Sequence, residues 1–253
     1  MNDNLDIPPV PINDATKPKW GFRRKLITVM VVLGIGLLLA AFMLPATRRV
    51  RPAKRRSQCK NNLKQIGLAL HNYVDTYHAL PPAFTIDADG KPLHSWRTLI
   101  LPFLDEQQLY KSIDLSKAWN DPANAEAFKR RVSIYQCPST QLPDTETCYV
   151  ALVGSHACLR PMQPRKFSEI TDGLGSTLMV IEVPPDRAVP WMSPVDADEK
   201  LFEALGPDTK TAHSGGSHVL FADGSTRFIP SSMPADQRRA LITVDGNETI
   251  GEF

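Results

Sequence analysis

The sequence predicts an α+β fold in which a long N-terminal membrane-spanning helix packs on an antiparallel β-sheet domain. Three observations carry this expectation. Residues 26–44, LITVMVVLGIGLLLAAFML, run for 19 positions without a charge. Leu63, Ile66, Leu70, Tyr73 and Tyr77 then recur at steps of three and four, the stripe of an amphipathic helix. Beyond Pro81-Pro82 the apolar runs are short and bounded by Gly, Pro and Asp, with tight turns and no βαβ rhythm.

At about 1.5 Å per residue, the first stretch covers roughly 30 Å, the hydrocarbon thickness of a bilayer. A cleavable secretory signal would have a shorter apolar region and a small residue three positions before the cut. The exit here is Leu44-Pro45-Ala46, so a retained anchor is expected. Residues 1–25 hold Pro8, Pro9, Pro11 and Pro18 without helical periodicity and read as a disordered cytoplasmic tail. Residues 45–80 read as a juxtamembrane helix, amphipathic over 54–78 and continuing into the domain, and 81–253 as the domain itself.

Charge is divided unevenly. Residues 48–60 carry seven basic groups and no acidic one, whereas 61–253 carry 17 basic against 24 acidic. Arg48, Arg49, Arg51, Lys54, Arg55 and Arg56 stand where anionic headgroups would lie, which makes a phospholipid membrane the expected partner. Nucleic acid is not expected, because no aromatics interleave with these groups. With five Lys and Arg before the span and seven after it, the charge rule alone weakly favours a cytoplasmic domain, and it loses force when a long domain follows.

Within the domain, residues 95–113 predict a helical pair interrupted at Pro102. Asp121-Pro122 supplies an acceptor and a first-turn proline for a helix start. Strands are expected over 132–136, 148–153, 176–183 and 218–222, and a last helix over 234–242. Asp223-Gly224 predicts a two-residue hairpin, since both positions tolerate positive φ. Cys59, Cys137, Cys148 and Cys158 contain no Cys-x-x-Cys pair, and an oxidising compartment permits any of their three pairings.

These residues resemble a known family. The segment RRSQCKNNLKQIGLALHNYVDTYHALPPA (55–83) is similar to the opening signature of the domain of unknown function 1559 family, whose members are bacterial pilin-like proteins. HSWRTLILPFLDEQQLY (94–110), YQCPS (135–139), YVALVG (149–154), ITDGLGSTLMVIEV (170–183) and HSGGSHVLFADGSTRFI (213–229) continue the resemblance in family order. His213, Asp223 and Gly224 have the spacing of the family's C-terminal His-x9-Asp-Gly motif, whose role is unknown.

The resemblance implies a pilin-like fold similar to type II secretion pseudopilins. It implies a single pass through the inner membrane, the N-terminus cytoplasmic and the domain extracytoplasmic. A structural or assembly role follows, with pilin-like or secretion-system proteins as partners; an older family label suggests the alternative of a membrane-tethered solute- or carbohydrate-binding domain. It also implies a Cys59–Cys137 disulfide, leaving Cys148 with Cys158 for a second. The anchor departs from the family, because its start lacks the Gly-Phe-Thr-Leu-x-Glu signature. Gly21-Phe22 is followed by Arg23-Arg24-Lys25, and either Leu26 or Thr28 stands where the glutamate belongs.

No catalytic residue, cofactor or metal is expected, and the chain is not read as an enzyme. His94, His213, His218 and Asp223 lack a recognised ligand spacing. Ser95 beside His94 and Ser214 beside His213 are merely adjacent, not placed as a triad. Trp96, Trp119 and Trp191 are read as core rather than as a sugar platform. Mass spectrometry of the mature protein is expected to find an unprocessed N-terminus; a methylated Phe22 as first residue would overturn this.

Overall fold

The computed structural model describes residues 20–248, except for the side chains of Trp20 and residues 40–52. Residues 1–19 of the tail expected over 1–25 and the side chains of Arg48, Arg49 and Arg51 therefore lie outside the described residues. Two compact units divide at Arg51 and Pro52.

Helix α1 runs from Trp20 to Tyr77, a single element of 58 residues. It already includes Trp20–Lys25, expected in the disordered tail, because nothing there opposes a helix once the apolar turns that follow have formed. Its described apolar side chains before residue 40 are exposed on every face, including Val29, Leu33 and Leu37. Among the described residues no helix is long and apolar enough to cross a membrane; the apolar run of 26–44 continues into side chains that are not described.

From residue 54 onward α1 belongs to the second unit and follows the predicted stripe. Cys59, Leu63, Ile66, Ala69 and Leu70 are fully buried, while Lys60 and Lys64 face out. The stripe ends early, with Tyr77 exposed. The chain then leaves the helix through His78, whose φ of 62° is the left-handed terminus usual for a helix end.

The main sheet has the order β4–β5–β7–β8, all antiparallel: β4 (Tyr149–Ala151), β5 (Leu178–Glu182), β7 (Gly216–Phe221) and β8 (Thr226–Pro230). Every residue of β4, β5 and β7 is buried. Such strands need cover on both faces, and their sequences accordingly read as continuous apolar runs rather than alternating ones. On one face α1 approaches so closely that a Cβ added to Gly67 would lie 2.8 Å from Leu220 Cδ1. Against the other, α5 (Glu199–Glu203) and α6 (Ala235–Ala240) bring Phe202 and Arg238 beside Val219 and Ile229. The result is a three-layer α+β unit around one core.

Two small pairs complete the strands: β1 (Phe84–Ile86) with β2 (Pro92–Ser95), and β3 (Glu146–Thr147) with β6 (Val189–Pro190). Residues 95–113 form α2 (Trp96–Leu99), a 3-10 turn at Leu101–Phe103 and α3 (Gln107–Lys111), broken near Pro102 as expected. Asp121 accepts a hydrogen bond from the Ala123 amide at 2.9 Å and starts a 3-10 turn leading into α4 (Ala125–Phe128).

Two expectations need correction. Residues 132–136 hold a 3-10 turn, Ser133–Tyr135, rather than a strand. Tyr135 is drawn inward to donate to the Arg97 carbonyl at 2.7 Å, which an extended backbone does not require. The β7–β8 connection is a three-residue loop, not a two-residue one. Gly224 N–H bonds to Phe221 O and Phe221 N–H to Ser225 O, and only Gly224 has positive φ, at 82°. This is a type I turn closed by a glycine bulge.

Arg97 is among the largest fully buried side chains of the domain and has no exposed surface. Its Nε donates to Trp191 O at 2.9 Å, Nη1 to Tyr149 O and to Asp196 Oδ1 at 2.6 Å, and Nη2 to Ser193 O and Val195 O, both at 2.9 Å. Asp196 Oδ1 also accepts from Trp96 Nε1 and from the Ala151 amide. Burial pushes the Asp196 carboxyl up, with Arg97 opposing. Losing one partner of a buried pair typically costs about 3–5 kcal/mol. Urea unfolding of full-length Arg97→Met in detergent should show a loss of that size, with part recovered in Arg97→Met/Asp196→Asn; a loss of at most about 1 kcal/mol, the range of exposed pairs, would contradict it.

Candidate functional site

Glu182, the last residue of β5, is a carboxylate with no exposed surface in an otherwise apolar strand. An ionised carboxylate in such a position requires partners. Two histidines supply them. His213 Nε2 lies 3.2 Å from Glu182 Oε2, and the His218 backbone amide donates to the same oxygen at 3.4 Å. His218 Nδ1 stands 3.8 Å away, too far for a hydrogen bond, and is left buried without one.

The loop before β7 makes this possible. Gly215, at a φ of 84°, turns the chain back, and Gly216 N–H bonds to His213 O. The ring of His213 is thereby brought edge-on to His218, with centroids 4.7 Å apart. Phe228 of β8 packs on the far side of His218, and the guanidinium of Arg56 lies over Phe228. Arg56 Nη2 also donates to Ser214 O at 3.0 Å. One of the residues expected at the membrane interface is thus engaged in holding the histidine loop to α1.

Cys59 of α1 and Cys137 form a disulfide. This linkage, implied by the family resemblance, joins the helix to the segment after the 3-10 turn. It lies directly against the histidine: Cys137 Sγ is 4.0 Å from His213 Nε2. One ligand-capable atom each from Cys59, Cys137, Glu182 and His213 falls within 4.8 Å of the others, all four residues being buried.

The second disulfide is not formed. Cys148 and Cys158 are both buried free thiols. Cys148 Sγ is 4.0 Å from Glu182 Oε1, whereas the charge that bears on Cys158 is Arg165, so the two occupy different surroundings. Burial pushes the Cys158 thiol up to about 12. Burial, with the Glu182 charge added, raises Cys148 well above its ordinary value. Both are held as thiols rather than nucleophilic thiolates.

The sequence motif His-x9-Asp-Gly does not converge on one site. His213 and Asp223 flank β7, whose six residues span about 20 Å at roughly 3.3 Å each. Asp223 Oδ1 accepts from the Ser225 amide at 2.7 Å, as a turn residue does. The turn docks on α1, where His71 Nε2 is 2.9 Å from Ala222 O and a Cβ on Gly224 would meet the same ring at 3.6 Å. The nine-residue spacing therefore measures a strand, with the histidine at one end and the helix-docking turn at the other.

His94 lies elsewhere, in the Asp114–Lys117 neighbourhood, and burial lowers its pKa. Glu182, Arg97 and Asp196 escaped the sequence reading. The signal for Glu182 was present: a single acidic residue inside LMVIEV, a run otherwise apolar enough to be a buried strand.

Residues 48–157 match the family model described as a protein of unknown function (DUF1559). That segment belongs to the DUF1559 family. It contributes Cys59, Arg97, Cys137 and Cys148, while Glu182 and the two histidines lie beyond the match. No curated protein and no solved structure matches the chain.

Burial opposes the charge on Glu182, but the two histidines outweigh it and hold its pKa below the ordinary 4.5. A depressed carboxylate stabilises the fold above the unfolded pKa and ceases to as pH falls through the folded one. Between about pH 5 and pH 3 the wild-type urea midpoint is therefore expected to fall more steeply than that of Glu182→Gln; parallel profiles would show that the carboxylate contributes nothing to the pH dependence.

Proposed function

We propose that this chain is a membrane-anchored, extracytoplasmic structural or assembly protein of pilin-like, pseudopilin type, retained with its N-terminus unprocessed. The observation that carries the reading is the division of labour within α1. Its turns from residue 59 onward are core of the DUF1559 domain, whereas its described apolar turns before residue 40 are exposed on all sides. An exposed face of Phe22, Ile27, Met30, Leu33 and Leu37 is not stable against water. The uncharged run of 26–44 has the length a bilayer requires.

The chemistry of the domain supports the same reading. Its one disulfide cross-links the helix to the body, a linkage suited to an oxidising compartment. Thr28, one of the two residues standing where the family glutamate belongs, has its hydroxyl occupied with the Arg24 carbonyl at 2.9 Å. It carries no charge to offer another helix, so the reading favours attachment over entry into a filament.

Carbonate extraction of membranes bearing the full chain tests this. The wild type should stay in the pellet. Leu33→Arg/Leu37→Arg should move to the supernatant, since each arginine costs about 2.5–3.5 kcal/mol at a helix centre. Extraction of the wild type itself would sink the proposal, and labelling of a cysteine introduced at exposed Lys111 (Lys111→Cys) from the cytoplasmic side alone would reverse its orientation.

A further inference from the structure

We propose that reduction of the Cys59–Cys137 disulfide converts this cluster into a four-ligand site for a zinc-like divalent cation, bound by Cys59 Sγ, Cys137 Sγ, His213 Nε2 and one oxygen of Glu182. The donor set carries the assignment. Two sulfurs, one imidazole nitrogen and one carboxylate oxygen are the ligands of tetrahedral zinc and fit neither calcium nor magnesium. With metal–ligand bonds of about 2.0–2.3 Å, the edges of such a tetrahedron are roughly 3.3–3.8 Å. The separations here are 3.2 Å for His213 Nε2 to Glu182 Oε2 and 4.0 Å for Cys137 Sγ to His213 Nε2, and all four ligand atoms lie within 4.8 Å. Opening the disulfide lets the two sulfurs separate to the required edge with small side-chain rotations.

A second, independent feature points the same way. His218 Nδ1 is buried, unpartnered and 3.8 Å from Glu182 Oε2. The oxidised cluster thus holds one carboxylate between two imidazoles with a polar atom unsatisfied. A cation bound by Glu182 and His213 would let the carboxylate swing, freeing an oxygen for His218 as a neighbour that orients the ligand.

The two states exchange by balanced steps. A dithiol attacks the disulfide, is itself oxidised to a disulfide, and passes two electrons and two protons to Cys59 and Cys137. The cation then displaces both thiol protons and is held as a dithiolate. The four ligands come from α1, the segment after the Ser133–Tyr135 turn, β5 and the loop before β7. The metal form therefore keeps the helix fastened to the sheet when the covalent link is gone, and does so whether or not α1 is a membrane anchor.

The test uses the full chain in detergent, reduced by a dithiol that is then removed anaerobically, with Co2+ alone as probe. One Co2+ per chain is expected, with sulfur-to-cobalt charge-transfer absorption and the intense visible bands of a tetrahedral centre, displaced by equimolar Zn2+. Cys148→Ser/Cys158→Ser should keep the spectrum, whereas His213→Ala should weaken binding by at least about 10–100-fold, the loss typical of outer ligand partners alone. Equal binding by the oxidised chain, or a thiolate spectrum surviving in Cys59→Ser/Cys137→Ser, would overturn the site. Because ligand variants can fail to fold, the wild type supplies a second readout. Zn2+ should slow iodoacetamide alkylation of Cys59 and Cys137 in the reduced chain at least tenfold by peptide mapping, and unchanged rates at both would also overturn it.

Discussion

A guanidinium sealed from water must find an acceptor for every N–H, and in this domain that demand is met in full for Arg97. Five hydrogen bonds run from it to four carbonyls and one carboxylate. The carbonyls of Trp191, Ser193 and Val195 belong to a segment without helix or strand of its own beyond β6, and that of Tyr149 belongs to the edge of the main sheet. Arg97 thereby fixes an irregular stretch that no ladder would hold, and Asp196 ties it back to Ala151 of β4. Desolvating such a pair is expensive, so its worth lies in specifying one arrangement of the segment rather than in net stability.

Glu182 poses the same problem with the opposite sign and is answered differently. Its partners are imidazoles and a backbone amide, delivered by the loop that opens β7. Because the adjacent disulfide begins on α1, the second buried charge sits where helix, sheet and loop meet. The two ends of the His-x9-Asp-Gly spacing then have separate physical roles. One end satisfies a buried carboxylate, and the other turns the chain against the helix at His71.

Periodicity read the helix well because its cause is local. Leu63, Ile66 and Leu70 share a face by the geometry of the α-helix alone, and their burial follows from having an apolar partner of any shape. The runs 176–183 and 218–222 were legible as strands for a similar reason, with bounds within two residues of β5 and β7 at all four ends: β-branched and aromatic residues bounded by turn residues suit a covered sheet. The segment 132–136 failed because its composition is strand-like, while its shape goes with bonds to other parts of the chain, from Tyr135 to the Arg97 carbonyl and from Asn62 and Thr147 to the carbonyls of Gln136 and Tyr135. The Asp-Gly loop was placed correctly but given one residue too few, since the same dipeptide closes both kinds of hairpin.

By itself, the sequence determined the apolar run, the amphipathic continuation, the class of the fold and the motifs by which residues 48–157 match the DUF1559 family. These depend on spacing along the chain and on side-chain chemistry. Only the tertiary structure decided that Cys148 and Cys158 stay apart, that Glu182 rather than Asp223 is the companion of His213, and that Arg97 and Asp196 form a pair 99 positions apart. Such choices rest on contacts between distant segments, where a distance of 3 or 4 Å depends on the packing of every layer between them and leaves no periodic trace in the order of residues.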